Sequence, residues 1–166
     1  GSDISFSASD NFNGSESFVV SVADDELVDS QTITVTINAV NDAPVADAAS
    51  GFTIEDQSVV ISLSGSDIDG DNLTFDANDA LHGSVSLDAS FATYTPDENY
   101  SGSDSFTFTV SDGFETSEAS VTIDIAAVND APILATISDV SFDEDGSGSI
   151  SLSGSDVDGD DLSYSI

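Results

Sequence analysis

One short acidic pattern occurs twice in this chain. The sequence Asp-Ile-Asp-Gly-Asp at 67–71 returns 89 residues later as Asp-Val-Asp-Gly-Asp at 156–160. Alternating aspartates can direct several carboxylate oxygens at one point, and the glycine allows the tight backbone turn that this requires. Carboxylate oxygens arranged in this way are ligands that Ca²⁺ prefers in proteins. The pattern predicts that both turns are cation sites, with the candidate ligands Asp67, Asp69, Asp71, Asp156, Asp158 and Asp160.

A second repeated pattern adds further oxygen ligands. Asn-Asp-Ala-Pro at 41–44 returns at 129–132, which is 88 residues later, and residues 11–18 resemble residues 99–106 with the same spacing. Self-similarity at such a period indicates one structural unit used in series. The one-residue difference between the two spacings implies a single insertion. Four more candidate ligands follow from this pattern: Asn41, Asp42, Asn129 and Asp130.

The charge of the chain favours a bound cation. Its 166 residues include 33 Asp and Glu but no Lys or Arg, so the formal net charge is −33. No basic side chain can pair with any carboxylate, and self-repulsion on this scale destabilises a compact state. A surface of this sign excludes nucleic acid as a partner. A single Asp-Gly turn is usually just a solvated turn, but recurrence beside a repeated acidic linker favours Ca²⁺.

Other metals and other calcium motifs fit the sequence poorly. Transition metals prefer His and Cys ligands, and the chain has only His82 and no Cys. An EF-hand would need Glu at the twelfth position of its loop, and counting from Asp67 that position is Asn78. The prediction is therefore a Ca²⁺ site of a different type.

The elements that would position these ligands are strands. Phe106, Phe108 and Val110 alternate with hydroxyl residues, as do several other apolar series, and this period of two marks strands with one buried face. No stretch has a helical period, so an all-β sandwich is predicted. The predicted strands are A (45–54), B (58–64), C (72–76), D (83–87), E (91–95), F (105–110) and G (118–126).

The repeat divides the chain into one whole unit and two parts. Residues 41–128 are predicted to form a complete seven-stranded unit, residues 1–40 the strands E–G of a preceding unit, and residues 129–166 the strands A–C of a following unit. Three strands with an open face are barely stable alone. The end segments of two chains are therefore expected to associate. No apolar run approaches the ~20 residues that cross a membrane.

Strand direction predicts which acids share a junction. If consecutive strands run up and down, Asp112 of the F–G turn lies at the upper end of the unit, with the 67–71 turn and the first linker. Glu55 and Asp104 lie at the lower end, next to the second linker and the following 156–160 turn. Each linker should therefore gather acids from two neighbouring units.

These motifs together resemble a known family. The Val-Asn-Asp-Ala-Pro linker, the early Glu-Asp at 55–56 and the Asp-x-Asp-Gly-Asp turn followed by leucine resemble the cadherin-like tandem repeats of large bacterial surface and secreted proteins. Tyr-Thr-Pro at 94–96 and Ser-Asp-Gly at 111–113 complete the pattern. The first copy departs from it, since Phe-Ser-Ala stands at 6–8 and Asp-Asp at 24–25.

The resemblance implies a seven-stranded Greek-key, cadherin- or Ig-like β-sandwich in tandem, with Ca²⁺ at the linkers. It places Asn41, Asp42, Glu55, Asp67, Asp69 and Asp104 at positions comparable to cadherin ligands. The expected function is a calcium-rigidified structural repeat of an extracellular bacterial adhesin or surface filament. Neighbouring repeats of the same protein are the expected partners.

Two other classes of function are open to test. A calcium-dependent carbohydrate-binding or homophilic module would need an exposed aromatic platform, for which Tyr94, Tyr100 and Phe114 are candidates and a polysaccharide the partner. Packing in the core and loops is the commoner role of such residues. An enzyme is not expected, because His82 has no repeated partner and no nucleophile elbow is present.

Overall fold

The computed structural model describes residues 3–165; Gly1, Ser2 and Ile166, at the outer ends of the predicted segments 1–40 and 129–166, lie outside the described residues. Within that range the chain is all-β, and no helix is long and apolar enough to cross a membrane. In chain order the strands are β1 (Gly14–Ala23), β2 (Val28–Ile37), β3 (Val45–Asp47), β4 (Ala49–Ile54), β5 (Val59–Ser62), β6 (Ser64–Ser66), β7 (Thr74–Ala77), β8 (Gly83–Asp88), β9 (Phe91–Pro96), β10 (Gly102–Ser111), β11 (Thr116–Ala126), β12 (Ile133–Leu134) and β13 (Gly154–Ser155).

Residues 45–126 form a two-sheet sandwich. One sheet has the strand order β4-β11-β10-β7 and the other the order β5-β9-β8, while β3 pairs with β6 beside them. All pairings are antiparallel except that of β4 with β11, which run parallel over six residue pairs. The prediction of an all-β sandwich is confirmed. Predicted strands A and B are each divided in two, as β3 and β4 and as β5 and β6.

Alternation along the strands builds the core. The inward residues of β10 and β11 are mostly apolar, with Asp104 as an exception, and their outward neighbours are mostly Ser and Thr, so one face of each strand packs against the opposite sheet. The largest fully buried side chains come from three strands and meet between the sheets: Tyr94, Phe108, Val110, Val121 and Ile123.

The first segment forms a hairpin in the register of β10 and β11. Gly14 pairs with Ile37 as Gly102 pairs with Ile125, so the internal repeat is visible in the hydrogen-bonding pattern. The predicted strand E of this segment does not form, since residues 3–8 have no strand. In the central sandwich the equivalent strand β9 lies between β5 and β8, and the first segment contains no equivalent of either.

The last segment forms even less sheet. Of its predicted strands A–C, the described residues contain only the two-residue pair β12 and β13. Their register repeats that of β3 and β6, with Ile133 opposite Ser155 as Val45 is opposite Ser66. The other predicted strands depend on β9-, β10- and β11-type neighbours, which this segment does not contain.

The matched core positions of the repeats give a direct test of this packing. Phe106 is 3% exposed in the sandwich, whereas the equivalent Phe18 of the hairpin is 38% exposed. We expect Phe106→Ala to lower the free energy of unfolding by about 3–5 kcal/mol, and Phe18→Ala to lower it far less. Urea unfolding followed by tyrosine fluorescence measures both variants, and equal effects would contradict the assignment of the core.

Candidate metal centre

The first acidic turn is organised by one of its own carboxylates. Oδ1 of Asp67 accepts hydrogen bonds from the backbone N–H groups of Asp69, at 2.9 Å, and Asp71, at 3.2 Å. Gly70 has a φ of 81°, a left-handed conformation that costs glycine little. One carboxylate oxygen from each of Asp67, Asp69 and Asp71 lies within 4.8 Å of the others. Oδ2 of Asp67 is buried and has no hydrogen-bond partner.

The first linker is attached to this turn and to the F–G turn. The backbone N–H of Asp42 donates to Oδ2 of Asp69 at 2.8 Å, and the amide of Asn41 donates to Oδ2 of Asp112 at 2.9 Å. Oδ1 of Asp112 accepts from the backbone N–H groups of Phe114 and Glu115. The bonds from Glu115, Asn41 and Phe114 lower the pKa of Asp112. Asp112 therefore acts here as a hydrogen-bond acceptor that holds the linker.

The second acidic turn repeats this arrangement. Oδ1 of Asp156 accepts from the backbone N–H groups of Asp158, at 3.0 Å, and Asp160, at 3.3 Å. The backbone N–H of Asp130 donates to Oδ2 of Asp158 at 2.7 Å. The amide of Asn129 donates to the carbonyl of Asp130, as the amide of Asn41 does to that of Asp42. Both linkers are thus fixed to the following turn by the same bonds.

At the second linker the preceding unit contributes a buried carboxylate. Glu55 follows β4 and is only 4% exposed, and one of its oxygens accepts a short hydrogen bond from the backbone N–H of Val128. Oxygens of Glu55, Asp130 and Asp158 lie within 4.8 Å of one another. These three residues belong to the preceding unit, the linker and the following unit, and we call them the linker cluster.

Asp130 is the electrostatically strained member of the linker cluster. Its Oδ2 is buried without a hydrogen-bond partner. Burial raises the pKa of Asp130, and the nearby carboxylates Asp158, Glu55, Asp56 and Asp156 raise it further. A carboxylate surrounded by others binds a proton or a metal cation more readily than an isolated one. The donor set consists of oxygens alone, which suits Ca²⁺.

The structure brings together only part of the predicted ligand set. Glu55, Asp130 and Asp158 meet at the second linker with Asp156 beside them, and Asp67, Asp69 and Asp71 meet near the first. Asp160 contributes a backbone bond to its turn but is not in the linker cluster. Asn41 and Asn129 act as amide donors. Asp56, whose carboxylate is close enough to raise the pKa of Asp130, was not among the predicted ligands, although it belongs to the Glu-Asp pair at 55–56.

Asp104 is placed elsewhere. The sequence grouped it with the second linker, but it is 8% exposed inside the sandwich. Its Oδ2 accepts from the Tyr94 hydroxyl at 2.8 Å and from the backbone N–H of His82 at 3.0 Å. Burial pushes the pKa of Asp104 upward, but hydrogen bonds led by that of Tyr94 outweigh it and leave the pKa lowered. These bonds tie the carboxylate to the His82 loop and to the fold, and the role of Asp104 as a metal ligand stays a prediction.

The aromatic residues do not form a platform. Tyr94 is fully buried, and the ring of Tyr100 stacks on His82 with centroids 4.1 Å apart. Of the three candidates only Phe114 is exposed, at the tip of a turn. His82 thus packs on an aromatic ring, and its backbone closes the Asp104 network.

A cavity of about 250 Å³ opens at the first linker, and its lining includes three amide side chains and two acids: Asn11, Asn13, Asn38, Asp42 and Asp69. Oxygen donors from the hairpin and from the sandwich therefore face one another across this linker.

Comparison with known proteins identifies the family of the central unit. The bacterial Ig domain family matches residues 41–124. The chain belongs to this family. The match coincides with the sandwich of this bacterial Ig domain and begins at the first linker, at Asn41. A search of curated proteins finds no match.

Several solved structures match part of the chain at low identity. An endo-fucoidan hydrolase of glycoside hydrolase family 107 is 24% identical with a TM-score of 0.44, covering 70% of this chain and 19% of its own. Drosophila N-cadherin EC1-3 is 11% identical with a TM-score of 0.41, covering 61% and 41%. Domains 4 and 5 of the S-layer protein SbsC are 21% identical with a TM-score of 0.34, covering 69% and 59%. The chain spans about a fifth of the length of the fucoidan hydrolases it matches.

The separate role of Asp104 can be tested by substitution. Asp104→Asn weakens charge-assisted hydrogen bonds, so we expect a loss of about 1–3 kcal/mol in unfolding free energy, equal in calcium and in chelator. The stability that the carboxylate contributes is present above the ordinary Asp pKa and is lost as pH falls through its lowered value. Asp104→Asn should therefore flatten the acid limb of the stability–pH curve. Asp76→Asn, at an exposed position, is the control. A loss of stability found only in calcium would show that Asp104 is a metal ligand.

Proposed function

We propose that this bacterial Ig domain chain is a calcium-rigidified structural segment of an extracellular adhesin or surface filament, built from cadherin-like tandem repeats. Ca²⁺ held at each linker fixes the angle between consecutive units. The observation that carries the proposal is the linker cluster, in which Glu55, Asp130 and Asp158 come within 4.8 Å of one another. The unpartnered Oδ2 of Asp130 is buried among them.

The origin of the three ligands explains how an ion would act mechanically. Glu55 lies directly after β4 of the preceding unit, Asp130 lies in the linker, and Asp158 lies in the turn of the following unit. An ion bound to all three would join the two units through ionic contacts. Without an ion, the same three charges repel one another and favour separation of the units.

The rest of the coordination shell is available nearby. Ca²⁺ takes about six to eight oxygens, including bidentate carboxylates and waters. Asp156 and Asp56 lie close enough to raise the pKa of Asp130, so both can contribute to the field of the site. At the first linker the corresponding ligands are Asp42, Asp67, Asp69 and Asp71.

The composition supports a divalent cation as the counter-charge. The chain has no Lys or Arg to approach a carboxylate, so a buried acid can be balanced only by hydrogen-bond donors or by an ion. The backbone donors at the second linker are directed to Asp158 and Glu55, which leaves Oδ2 of Asp130 without one. Extracellular modules typically bind Ca²⁺ with dissociation constants of about 10⁻⁴–10⁻³ M, a range suited to an external medium.

Removal of calcium should loosen and destabilise the chain. At a free concentration about 100 times the dissociation constant, one site adds about 2.7 kcal/mol of stability. We expect chelator to lower the melting temperature and to increase the radius of gyration measured by small-angle scattering at low protein concentration. Magnesium at the same ionic strength is the control, since it prefers a tighter and more hydrated site. Superimposable scattering profiles with and without calcium would refute the proposal.

Removal of one charge from the linker cluster should have opposite effects on the melting temperature in chelator and in calcium. Asp130→Asn removes one of several crowded like charges, so the variant should melt at a higher temperature than the parent in chelator. In calcium it loses a ligand and should show a smaller calcium-induced rise in melting temperature.

Asp158→Asn and Asp161→Asn form a matched pair for a measurement of calcium binding. The two substitutions change the net charge equally and lie three residues apart, and the equivalent of Asp161 in the central repeat is Asn72. We expect Asp158→Asn to weaken calcium binding by isothermal titration calorimetry and Asp161→Asn to leave it unchanged. An equal loss in both variants would show a diffuse charge effect in place of a defined site.

A further inference from the structure

One asparagine of the chain is followed directly by glycine. Among the asparagines of the sequence, only Asn13 has glycine as its next residue, Gly14. The backbone nitrogen of a following residue can attack the side-chain amide of asparagine, because the attack closes a five-membered ring. A side chain on the following residue hinders this attack, and glycine has none. The sequence therefore places the most reactive amide of the chain at position 13.

The surroundings of this pair leave the attack open. Asn13 and Gly14 are both exposed, and Gly14 is the first residue of β1 and pairs with Ile37 at the end of β2. Its N–H thus lies at the open end of the hairpin ladder, where local opening costs little free energy. Among the described residues, a Cβ built on Gly14 would meet only the tip of the Phe12 ring, at 3.8 Å. No tightly packed neighbour therefore holds the Asn13 side chain away from the Gly14 nitrogen.

The loop that carries this pair has the same shape in both repeats. Gly14 and its equivalent Gly102 have φ values of 138° and 131°. The turn before each glycine is closed by one backbone hydrogen bond, of 3.2 Å in the first copy and 3.1 Å in the second. At the position of Asn13 the second copy has Ser101, which is also exposed. The geometry and exposure of position 13 therefore belong to the loop itself, and only the amide is particular to the first copy.

Asn13 lies at the first linker. It lines the cavity of about 250 Å³ together with two other amides and with Asp42 and Asp69. The backbone N–H of Asp42 donates to Oδ2 of Asp69, and both residues are among the proposed calcium ligands of this linker. An amide at position 13 offers one neutral oxygen, whereas a carboxylate would offer a full negative charge and two oxygens. The charge of the cavity thus depends on the chemical state of Asn13.

We propose that Asn13 and Gly14 form a self-modification site that adds a carboxylate to the first linker. The backbone nitrogen of Gly14 bonds to Cγ of Asn13 and gives up its proton to water, while the side-chain nitrogen leaves as ammonia and a succinimide ring remains. Water then opens the ring. Cleavage of the bond from nitrogen to Cγ gives aspartate, and cleavage of the bond from nitrogen to the backbone carbonyl carbon gives isoaspartate. In total one water is consumed and one ammonia is released, without an oxidant or a reductant.

The new carboxylate changes how the first linker holds a cation. This consequence rests on the proposed calcium function, because it requires an ion at that linker. A further negative charge beside Asp42 and Asp69 attracts a bound ion and, when no ion is present, increases the repulsion among the carboxylates. The ammonia is lost to the solvent, so the change runs in one direction. The first linker therefore gains calcium affinity, and becomes more dependent on calcium, as the protein ages.

Ageing of the purified chain tests the reaction. The chain has no Lys or Arg for trypsin, so peptides are released with pepsin, at an acidity that stops further conversion. After incubation at mildly alkaline pH, the peptide containing Asn13 should show the mass of the carboxyl product, at a rate at least tenfold that at any other asparagine. Asn13→Ser, which installs the residue present at position 101, should abolish this signal.

The reverse exchange completes the test of the reaction. Ser101→Asn places the same Asn-Gly pair in the matching loop of the sandwich and should create a second site of conversion there. Conversion of Asn13 that is no faster than that of Asn72 would overturn the proposal. So would an intact Asn13 after an incubation that fully converts a short synthetic peptide of the same sequence.

Asn13→Asp reproduces one product and tests its effect on calcium binding. The parent and the variant both carry Asp130→Asn and Asp158→Asn, which remove ligands of the second linker. By isothermal titration calorimetry, Asn13→Asp should lower the calcium dissociation constant at least fivefold. Ser86→Asp adds the same charge at an exposed position of β8, outside the cavity lining, and should leave the constant within about twofold.

The outcomes separate this inference from the calcium function. Equal effects of Asn13→Asp and Ser86→Asp, in chains that bind calcium, would overturn the role of position 13 at the linker. Absence of calcium binding in every chain, including the one with both linkers intact, would overturn the proposed function instead. The conversion of Asn13 is decided by the mass measurement alone.

Discussion

The structure depends on one constraint, which is that no positive side chain is available to any carboxylate. Each buried acid must therefore be balanced by N–H groups, by hydroxyls or by an ion. Asp112 and Asp104 are balanced by hydrogen bonds and have lowered pKa values. Asp130 has no such donors at Oδ2 and has a raised pKa. The hydrogen-bond donors present at Asp112 and Asp104, and missing at Oδ2 of Asp130, thus accompany pKa shifts in opposite directions.

The acidic turns depend on residues close in sequence, whereas the sheets depend on strands distant in sequence. Gly70 and Gly159 have φ values of 81° and 80°, and Asp56 and Asp145 have values of 59° and 64°. These angles recur although the last segment forms almost no sheet. A turn held by its own Asp side chain needs only neighbouring residues, whereas a strand needs partners distant in sequence. The acidic turns are therefore held by bonds between residues close in sequence.

The same distinction sets how much could be predicted from sequence. Alternation of Phe106, Phe108 and Val110 gave the strand and its buried face, because that signal lies within a few residues. Repetition identified the turn at 67–71 and the linker at 41–44. The hydrogen bonds of Asp104 could not be predicted, because strand periodicity shows which face the residue occupies but not that Tyr94 and the His82 loop meet it there. The end strands were overpredicted because periodicity contains no information on whether a partner strand is present.

The parallel pair of β4 and β11 has a mechanical consequence. The chain enters the central unit through β3 and β4 and leaves it through β11, and β4 and β11 are neighbours over six residue pairs. Tension applied along the chain pulls these two parallel strands in opposite directions along their own axes. All the hydrogen bonds between them are then loaded at once in shear, and none can open first as in a zipper. The strand order itself therefore makes the unit resistant to extension, and the linker cluster lies on the same line of force, directly beyond the end of β11.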